Sequence, residues 1–272
     1  MVSYAEAYLK AKNDLAAVGI KDAALEARFL LQHVCGNKIK DTLTAEEEAL
    51  FVQLVHKRGT RYPLQYIFGE WDFLDFTLAV GDGVLIPRQD TECVCLAAIE
   101  KAKLFSRPTV VDLCGGSGAI ALGVQRHVPQ AEVTCVELSD DALLYLRKNA
   151  AGCVRVVQAD VFSWQNSCAP GSIDILTANP PYISAAEMPS LAPELSYEPE
   201  MALLAAEDGL AFYKHIAKEY MVCVKENGWI VLEIGYRQAE AVQEILHTNG
   251  WQNIEIRKDL NGQDRVAIAQ KL

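Results

Sequence analysis

The run Asn179-Pro180-Pro181-Tyr182 combines residue types that could hold and orient a planar NH2 group. Its prolines stiffen the chain and supply no N–H, so their carbonyl oxygens are free to accept hydrogen bonds. The Asn179 side-chain oxygen and the Pro180 carbonyl could bind the two hydrogens of an amide or aromatic amine, while Tyr182 packs on its planar group. Such a corner would aim a weak nitrogen nucleophile at an electrophilic methyl group, mainly by positioning and matched dipoles. The structural alternative is a rigid turn with a capping asparagine.

A second candidate site is the glycine-rich segment Asp112–Gly118, with the sequence Asp-Leu-Cys-Gly-Gly-Ser-Gly. It lies where a predicted strand ends and a helix begins, so its backbone can approach a ligand closely and the helix offers free N–H groups. Glu137 ends the next predicted strand, where a carboxylate can accept both hydroxyls of a ribose. These features predict a nucleoside-bearing cofactor. NAD remains an alternative because Gly116-x-Gly118-x-x-Ala121 fits the loose dinucleotide pattern, and a glycine turn for tight strand–helix packing is the structural one.

Asp160 and Val161 follow the third strand of the same alternating region. The Asp160 carboxylate could meet an adenine amino group, and the Val161 backbone N–H could reach the ring. An aspartate that caps the next turn is the alternative. No histidine falls in any of these motifs, and no nucleophile–histidine pairing indicates a hydrolytic triad.

The elements that must position these residues follow from the hydrophobic pattern. The pattern predicts strands at 109–113, 131–138, 154–159, 172–178, 229–234, 253–260 and 265–270. It predicts helices near 90–104, 119–128, 140–151, 208–226 and 238–248. Strands that alternate with helices predict an α/β fold with a mostly parallel sheet, closed here by a C-terminal antiparallel hairpin. The segment 183–206 is expected to be a mobile substrate loop.

Three segments are expected along the chain. Residues 1–66 form a small all-α domain, residues 67–86 a β-hairpin linker, and residues 87–272 the α/β domain. Asp22 and Thr44 are predicted helix N-caps, and Glu47 completes a capping box with Thr44.

Composition narrows the possible functions. The chain has 272 residues and a net charge of −11, all of it on residues 71–272, because residues 1–70 are balanced. Such a segment repels a phosphate backbone, which argues against direct nucleic-acid readout. No apolar run approaches roughly 18 residues, so no membrane span is expected. The N-terminal residues do not resemble a secretory signal, and the eight cysteines show no zinc spacing, so free thiols in the cytoplasm are expected.

Taken together, the motifs resemble the class I (Rossmann-like) S-adenosylmethionine-dependent methyltransferases. More narrowly, they resemble the HemK-type glutamine N5-methyltransferases that modify peptide chain release factors. The match includes the helical domain and the segments 86–92, 112–118, 136–139, 179–183, 197–199, 232–235 and 258–265. Two positions depart from the family pattern: Cys114 replaces a usual glycine, and Gln89 replaces a usual proline. A Cβ at Cys114 puts the affinity for the cofactor in question.

The resemblance implies a substrate, a cofactor and a set of site residues. The substrate is the glutamine of the Gly-Gly-Gln motif in a release factor, and the helical domain contacts that release factor. The enzyme is expected to be a monomer. The methyl donor is S-adenosylmethionine, which leaves as S-adenosylhomocysteine, and no metal is expected because the sulfonium already activates the methyl group. Cofactor contacts are implied for Asp112, Cys114, Gly115, Gly116, Ser117, Gly118, Glu137, Asp160, Val161 and Asn179. Substrate contacts are implied for Asn179, Pro180, Pro181 and Tyr182, with catalysis by Asn179, Pro180 and Tyr182.

Three other functions stay open at this point. Adenine-N6 methylation of nucleic acid uses the same Asn-Pro-Pro-Tyr chemistry, because adenine also presents a planar NH2. An NAD-dependent oxidoreductase fits the glycine loop but leaves Asn-Pro-Pro-Tyr unexplained. A cofactor-binding scaffold without transferase activity is favoured only by Cys114.

Overall fold

The computed structural model describes residues 2–36 and 41–272. The chain divides into two compact units, the first comprising Met1–Glu70 with Ala192–Tyr197 and the second Trp71–Leu191 with Glu198–Leu272. In the two described ranges, no helix combines the length and the apolar character that crossing a bilayer requires.

The first unit is helical around an apolar core that includes Leu15, Leu30 and Leu31. Its helices are α1 (Tyr4–Ala17), α2 (Ala23–Cys35), α3 (Ala45–Gly59) and α4 (Leu64–Phe68). The predicted capping box at α3 is confirmed, since Thr44 Oγ1 accepts from the Glu47 N–H and Glu47 accepts from the Thr44 N–H. Asp22 occupies the predicted N-cap position of α2, but its side chain makes no capping hydrogen bond.

Residues 192–197 pack on this helical unit through Glu194 and Tyr197. The Glu194 carboxylate lies 2.9 Å from the Arg58 guanidinium and 2.8 Å from that of Arg61. The Tyr197 hydroxyl donates to the Thr60 carbonyl at 2.8 Å. A segment far along the chain therefore completes the charge balance of the helical unit.

We expect Arg58→Met to destabilise the protein strongly. The Arg58 side chain is 5 % exposed and pairs with both Glu26 and Glu194, so the substitution removes the cation beside partly buried Glu26 and leaves Glu194 with Arg61 alone. Breaking a buried pair in this way costs about 3 kcal/mol. Chemical denaturation measures the loss, with Arg107→Met at an exposed pair as the matched control. Equal stabilities of the two variants would contradict a structural role for Arg58.

The second unit begins with a hairpin formed by β1 (Glu70–Phe73) and β2 (Phe76–Ala79). Its turn lies at Leu74, which adopts a left-handed φ of 51° and donates its N–H to Glu92 at 3.0 Å. A separate turn at 82–83 follows the hairpin.

A seven-stranded sheet forms the centre of the second unit. Its strands are β3 (Thr109–Leu113), β4 (Glu132–Glu137), β5 (Arg155–Gln158), β6 (Ile173–Ala178), β7 (Val224–Glu233), β8 (Gln252–Lys258) and β9 (Asp264–Gln270). Their spatial order is β5-β4-β3-β6-β7-β9-β8, in which only β9 pairs antiparallel, with β7 and β8. The expected mostly parallel sheet with an antiparallel C-terminal hairpin is therefore confirmed.

Helices cover this sheet. They are α5 (Gln89–Ala102), α6 (Ala119–His127), α7 (Asp140–Ala150), α8 (Val161–Trp164), α9 (Ala206–Gly209), α10 (Ala211–Glu219) and α11 (Ala239–Thr248). The buried strand residues form two apolar cores, one containing Val110 and Ile175 and the other containing Val111 and Leu176. Successive residues of a strand point to opposite faces, so neighbouring positions of β3 and β6 fill different cores.

The predicted helix over 208–226 is too long at its C-terminal end. The helix α10 ends at Glu219, and β7 already begins at Val224, which pairs with Ile173. The register between the two strands shifts just beyond this pair, and Asn227 takes a left-handed φ of 65°. Pairing with β6 through a bulge thus overrides the helical pattern of the local sequence.

The strand order reverses at β3, which has β4 on one side and β6 on the other. In open α/β sheets, ligands bind beside the carboxyl ends of the strands at such a switch point. The glycine loop follows β3, and Asn179 follows β6, so the fold places both motifs at this crevice.

Candidate functional site

A cleft of about 290 Å³ lies at the carboxyl ends of β3, β4 and β6. Its walls include the glycine loop, the end of β4, the start of α8 and the Asn-Pro-Pro-Tyr corner. The predicted site residues that line it are Asp112, Cys114, Gly115, Gly116, Ser117, Glu137, Asp160, Val161, Asn179 and Pro181. The structure therefore brings the two sequence motifs to one cavity.

The glycine loop owes its shape to left-handed backbone. Cys114, Gly116 and Gly118 have φ values of 56°, 55° and 91°. A Cβ at Gly115 would lie 2.1 Å from the Cys135 sulfur, so only glycine fits there without movement. Cys114 holds a conformation that a side chain disfavours, and burial raises the pKa of its thiol.

Asp112 is the buried first residue of the glycine-rich segment. It is 1 % exposed, and its carboxylate accepts from the Thr177 hydroxyl at 2.8 Å and from the Ala121 N–H at 3.2 Å. Burial raises its pKa to about 7, against the lowering effect of these hydrogen bonds. A direct cofactor contact by Asp112 stays a prediction.

Glu137 is held rigidly at the end of β4. Its Oε2 accepts from the Gly116 N–H, and its Oε1 from the N–H groups of Leu138 and Ser139, each at 2.8 Å. A carboxylate oxygen has two acceptor sites, so Oε2 keeps one for a ribose hydroxyl. The same side chain thus shapes the glycine loop and offers an acceptor to the cleft.

We expect Glu137→Gln to weaken binding of the nucleoside cofactor about tenfold or more, because one backbone N–H would then face an NH2 group. Isothermal calorimetry with S-adenosylhomocysteine measures the affinity. Glu132→Gln, at the exposed start of the same strand, is the matched control. Unchanged affinity in Glu137→Gln would refute the assignment.

Asp160 and Val161 lie at the start of α8. Asp160 caps this turn, as its alternative role predicted, because Oδ1 accepts from the Phe162 N–H at 2.9 Å. The backbone N–H of Val161 bonds to no other group in the described part of the chain. That donor fits the edge of a purine ring, and Phe162 beside it lines the cleft.

The Asn-Pro-Pro-Tyr corner presents some of its groups to the cleft and others to the interior. Asn179 and Pro181 line the cleft, whereas Pro180 is buried and is not among the lining residues. The Asn179 Nδ2 donates to the Thr91 hydroxyl at 3.3 Å. Within the described residues, Asn179 Oδ1 accepts no hydrogen bond.

Tyr182 is not among the residues that line the cleft. Its hydroxyl lies 3.4 Å from Glu233, and its backbone carbonyl accepts from the Gln238 side chain at 3.1 Å. Burial raises the pKa of Tyr182, and the nearby Glu233 carboxylate raises it further. This side chain fixes the corner in place, and its predicted stacking on a substrate stays a prediction.

Several residues outside the predicted motifs also shape the cleft. Arg88 pairs with Glu198, which also accepts from the Ile86 N–H at 3.0 Å. Phe212 lines the cleft and packs against Phe162, with ring centroids 4.9 Å apart. Position in the sequence does not indicate such pairings, since Arg88 and Glu198 are 110 residues apart.

Comparison with known proteins gives two family matches. Residues 6–69 match the model of the PrmC N-terminal domain, and residues 93–203 match that of the methyltransferase small domain. The release factor glutamine methyltransferase of Thermodesulfovibrio yellowstonii is 39 % identical over 235 residues, which cover 84 % of each chain. The chain belongs to the release factor glutamine methyltransferase family. The resemblance drawn from the motifs is therefore confirmed.

A second member of the family is similar over nearly the whole chain, and one solved structure shares the fold. The release factor glutamine methyltransferase of Deinococcus radiodurans is 33 % identical over 267 residues, which cover 94 % of each chain. A precorrin-6y C5,15-methyltransferase from Geobacter metallireducens shares the fold, with a TM-score of 0.50 at 14 % identity over 72 % of this chain and 94 % of that one. Membership of a methyltransferase family sets the oxidoreductase alternative aside.

Proposed function

We propose that this protein transfers a methyl group from S-adenosylmethionine to the side-chain amide nitrogen, N5, of the glutamine in the Gly-Gly-Gln motif of peptide chain release factors. The observation that carries the proposal is the Asn179 carboxamide. Its NH2 is tied to Thr91 while its oxygen remains available in the cleft that holds the glycine loop. The names of the related proteins support the same substrate.

The residues of the cleft fit S-adenosylmethionine. The left-handed glycine loop allows close approach, Oε2 of Glu137 keeps an acceptor for a ribose hydroxyl, and the Val161 N–H offers a donor to the adenine ring. When bound, the cofactor supplies an electrophilic methyl group on a sulfonium. No group of histidine, cysteine, aspartate and glutamate suited to a metal ion occurs among the described residues.

The chain's own contribution is to hold the substrate amide. Asn179 Oδ1 and the Pro180 carbonyl are proposed to accept its two hydrogens, which fixes the nitrogen and directs its lone pair into the cleft. An amide nitrogen is a poor nucleophile because its lone pair is delocalised, so orientation and matched dipoles must provide most of the acceleration. Half-buried Tyr182 and the two prolines keep the acceptors in place.

We further propose that the helical unit, residues 1–66 in the sequence-based division, contacts the release factor, and that the enzyme acts as a cytoplasmic monomer. The proposed substrate takes part in translation, which supports that compartment. The hairpin 67–86 and the α/β domain 87–272 complete the proposed division.

Mass spectrometry of a release factor after incubation with the protein and S-adenosylmethionine tests the function. We expect the Gly-Gly-Gln peptide to gain the mass of one methylene, and a release factor with Gln→Glu in that motif to gain none. Parallel incubation of labelled donor with DNA tests the adenine alternative. Label in DNA alone would overturn the proposal.

A further inference from the structure

We propose that Thr91 and Glu233 are positioning residues that fix the orientation of the Asn179 carboxamide so that its oxygen faces the cleft. The inference rests on the proposed function, since it concerns the group that is assigned there to the substrate amide. It gives roles to two side chains that contact neither the methyl donor nor the glutamine in that assignment.

Sheet register and the packing of α5 on the sheet bring the three side chains together. β6 and β7 pair in parallel with Ala178 opposite Leu232, so Asn179 and Glu233 occupy equivalent places at adjacent strand ends. Thr91 lies in the first turn of α5 and is 4 % exposed. Its hydroxyl accepts from Asn179 Nδ2 at 3.3 Å and donates to Glu233 Oε2 at 2.6 Å.

The single proton of the Thr91 hydroxyl decides the orientation. An ionised carboxylate only accepts hydrogen bonds, so the Thr91 hydroxyl must be the donor in its hydrogen bond with Glu233. The Thr91 oxygen can then only accept, and Asn179 must present its NH2 group to it. A reversed carboxamide would set two acceptor oxygens against each other, leaving both without a hydrogen bond.

Glu233 itself is fixed in the interior. It is 1 % exposed, and its second oxygen accepts from the Tyr182 hydroxyl. The charged and titratable groups that face it are Asp90 on α5, Tyr182 after β6, Tyr213 on α10 and Arg265 on β9. Glu233 thus connects the orientation of Asn179 with the packing of the corner.

The orientation of the Asn179 carboxamide depends on the ionisation of Glu233. Burial raises its pKa to about 7, while the Thr91 hydroxyl and Arg265 act in the opposite direction. A protonated Glu233 can donate to Thr91, whose own hydrogen is then free to turn to Asn179 and favour the reversed carboxamide. Turnover should therefore decline as the pH falls below about 7 and Glu233 takes up its proton.

The first test compares variants of Thr91 at saturating S-adenosylmethionine and release factor. Thr91→Val removes the hydroxyl but keeps the branched shape, and we expect kcat to fall about tenfold while both KM values stay nearly constant. Thr91→Ser restores the hydroxyl and should recover most of the rate. The control is Thr134→Val, on β4, where the hydroxyl bonds to no side chain or backbone group among the described residues. A kcat in Thr91→Val equal to that of the wild type would overturn the proposal.

The second test is the pH profile of kcat in Glu233→Gln. Asp112, whose pKa is also about 7, titrates in both proteins, so the difference between the two profiles isolates Glu233. We expect a lower plateau and a flatter acid limb in the variant. Identical acid limbs would overturn the role of Glu233.

A third measurement does not depend on turnover. The side-chain NH2 resonances of Asn179, identified by their loss in Asn179→Ala, should exchange slowly with solvent in the wild type and in Thr91→Ser and faster in Thr91→Val. Equal exchange in all three would overturn the orientation. Failure of the wild type to methylate a release factor would instead defeat the proposed function, so the two failures are distinguishable.

Discussion

Asn179→Ala should abolish methyl transfer while leaving cofactor binding nearly intact. The substitution removes the side-chain oxygen that is proposed to hold the substrate amide, and Asn179 touches the glycine loop through no hydrogen bond among the described residues. Loss of one preorganised polar contact to a reacting group lowers kcat by about 10²–10³. We expect the Kd for S-adenosylhomocysteine to change less than about threefold, because the hydrogen bonds of the glycine loop remain.

Single-turnover transfer and calorimetry measure the two effects separately. Asn166→Ala, at an exposed position outside the cleft, is the matched control. Asn179→Asp keeps an oxygen towards the cleft but loses the donor to Thr91, so it should be nearly as inactive as the alanine variant. Lost cofactor binding with normal turnover at saturation would show that Asn179 serves the cofactor and not the substrate.

Gly115→Ala should severely impair cofactor binding. Its new Cβ would lie 2.1 Å from the Cys135 sulfur, so the glycine loop must move. The backbone N–H of Gly115 bonds to the Val136 carbonyl at 3.0 Å, and this contact would be strained by the same movement. A displacement of about 1 Å in a catalytic site lowers the reaction rate on the order of a hundredfold. We expect a loss of cofactor affinity of similar size.

The double variant Gly115→Ala, Cys135→Ala provides the decisive comparison. Removing the sulfur leaves the new methyl group with its nearest remaining neighbours at 3.6 and 3.8 Å, which are ordinary contacts. Affinity for S-adenosylhomocysteine should return to within about fivefold of the value for Cys135→Ala alone, as expected of two coupled neighbours. If the double variant binds as weakly as Gly115→Ala, the sulfur contact is not the cause.

Local sequence signals predicted the parts of the site that lie within single segments. Buried strands followed directly by Asp112–Gly118 and by Asn179–Tyr182 placed both motifs at strand ends, and parallel topology then required them to meet. The capping box of Thr44 and Glu47 could be predicted for the same reason, because all of its groups lie within four residues. These features depend on periodicity and turn chemistry, which a single sequence carries.

Contacts between distant segments were not predictable in the same way. Thr91 lies 88 residues before Asn179 and 142 before Glu233, and the three meet only through the register of β6 with β7 and the packing of α5 on those strands. Asp22 holds the predicted N-cap position but its side chain makes no capping hydrogen bond, and the start of β7 depends on pairing with Ile173. Each of these outcomes is decided by tertiary partners that a local pattern does not identify.

The helical unit takes Ala192–Tyr197 from a stretch of chain that both begins and ends in the other unit. A gene fragment cut after residue 70 would encode helices that lack Glu194, one of the two carboxylates beside buried Arg58. Exchange of this unit alone between relatives by recombination therefore requires three junctions, after residues 70, 191 and 197, because a single junction after residue 70 would pair one parent's arginine with the other parent's loop. The split architecture ties the inheritance of the N-terminal helices to that of a short central loop.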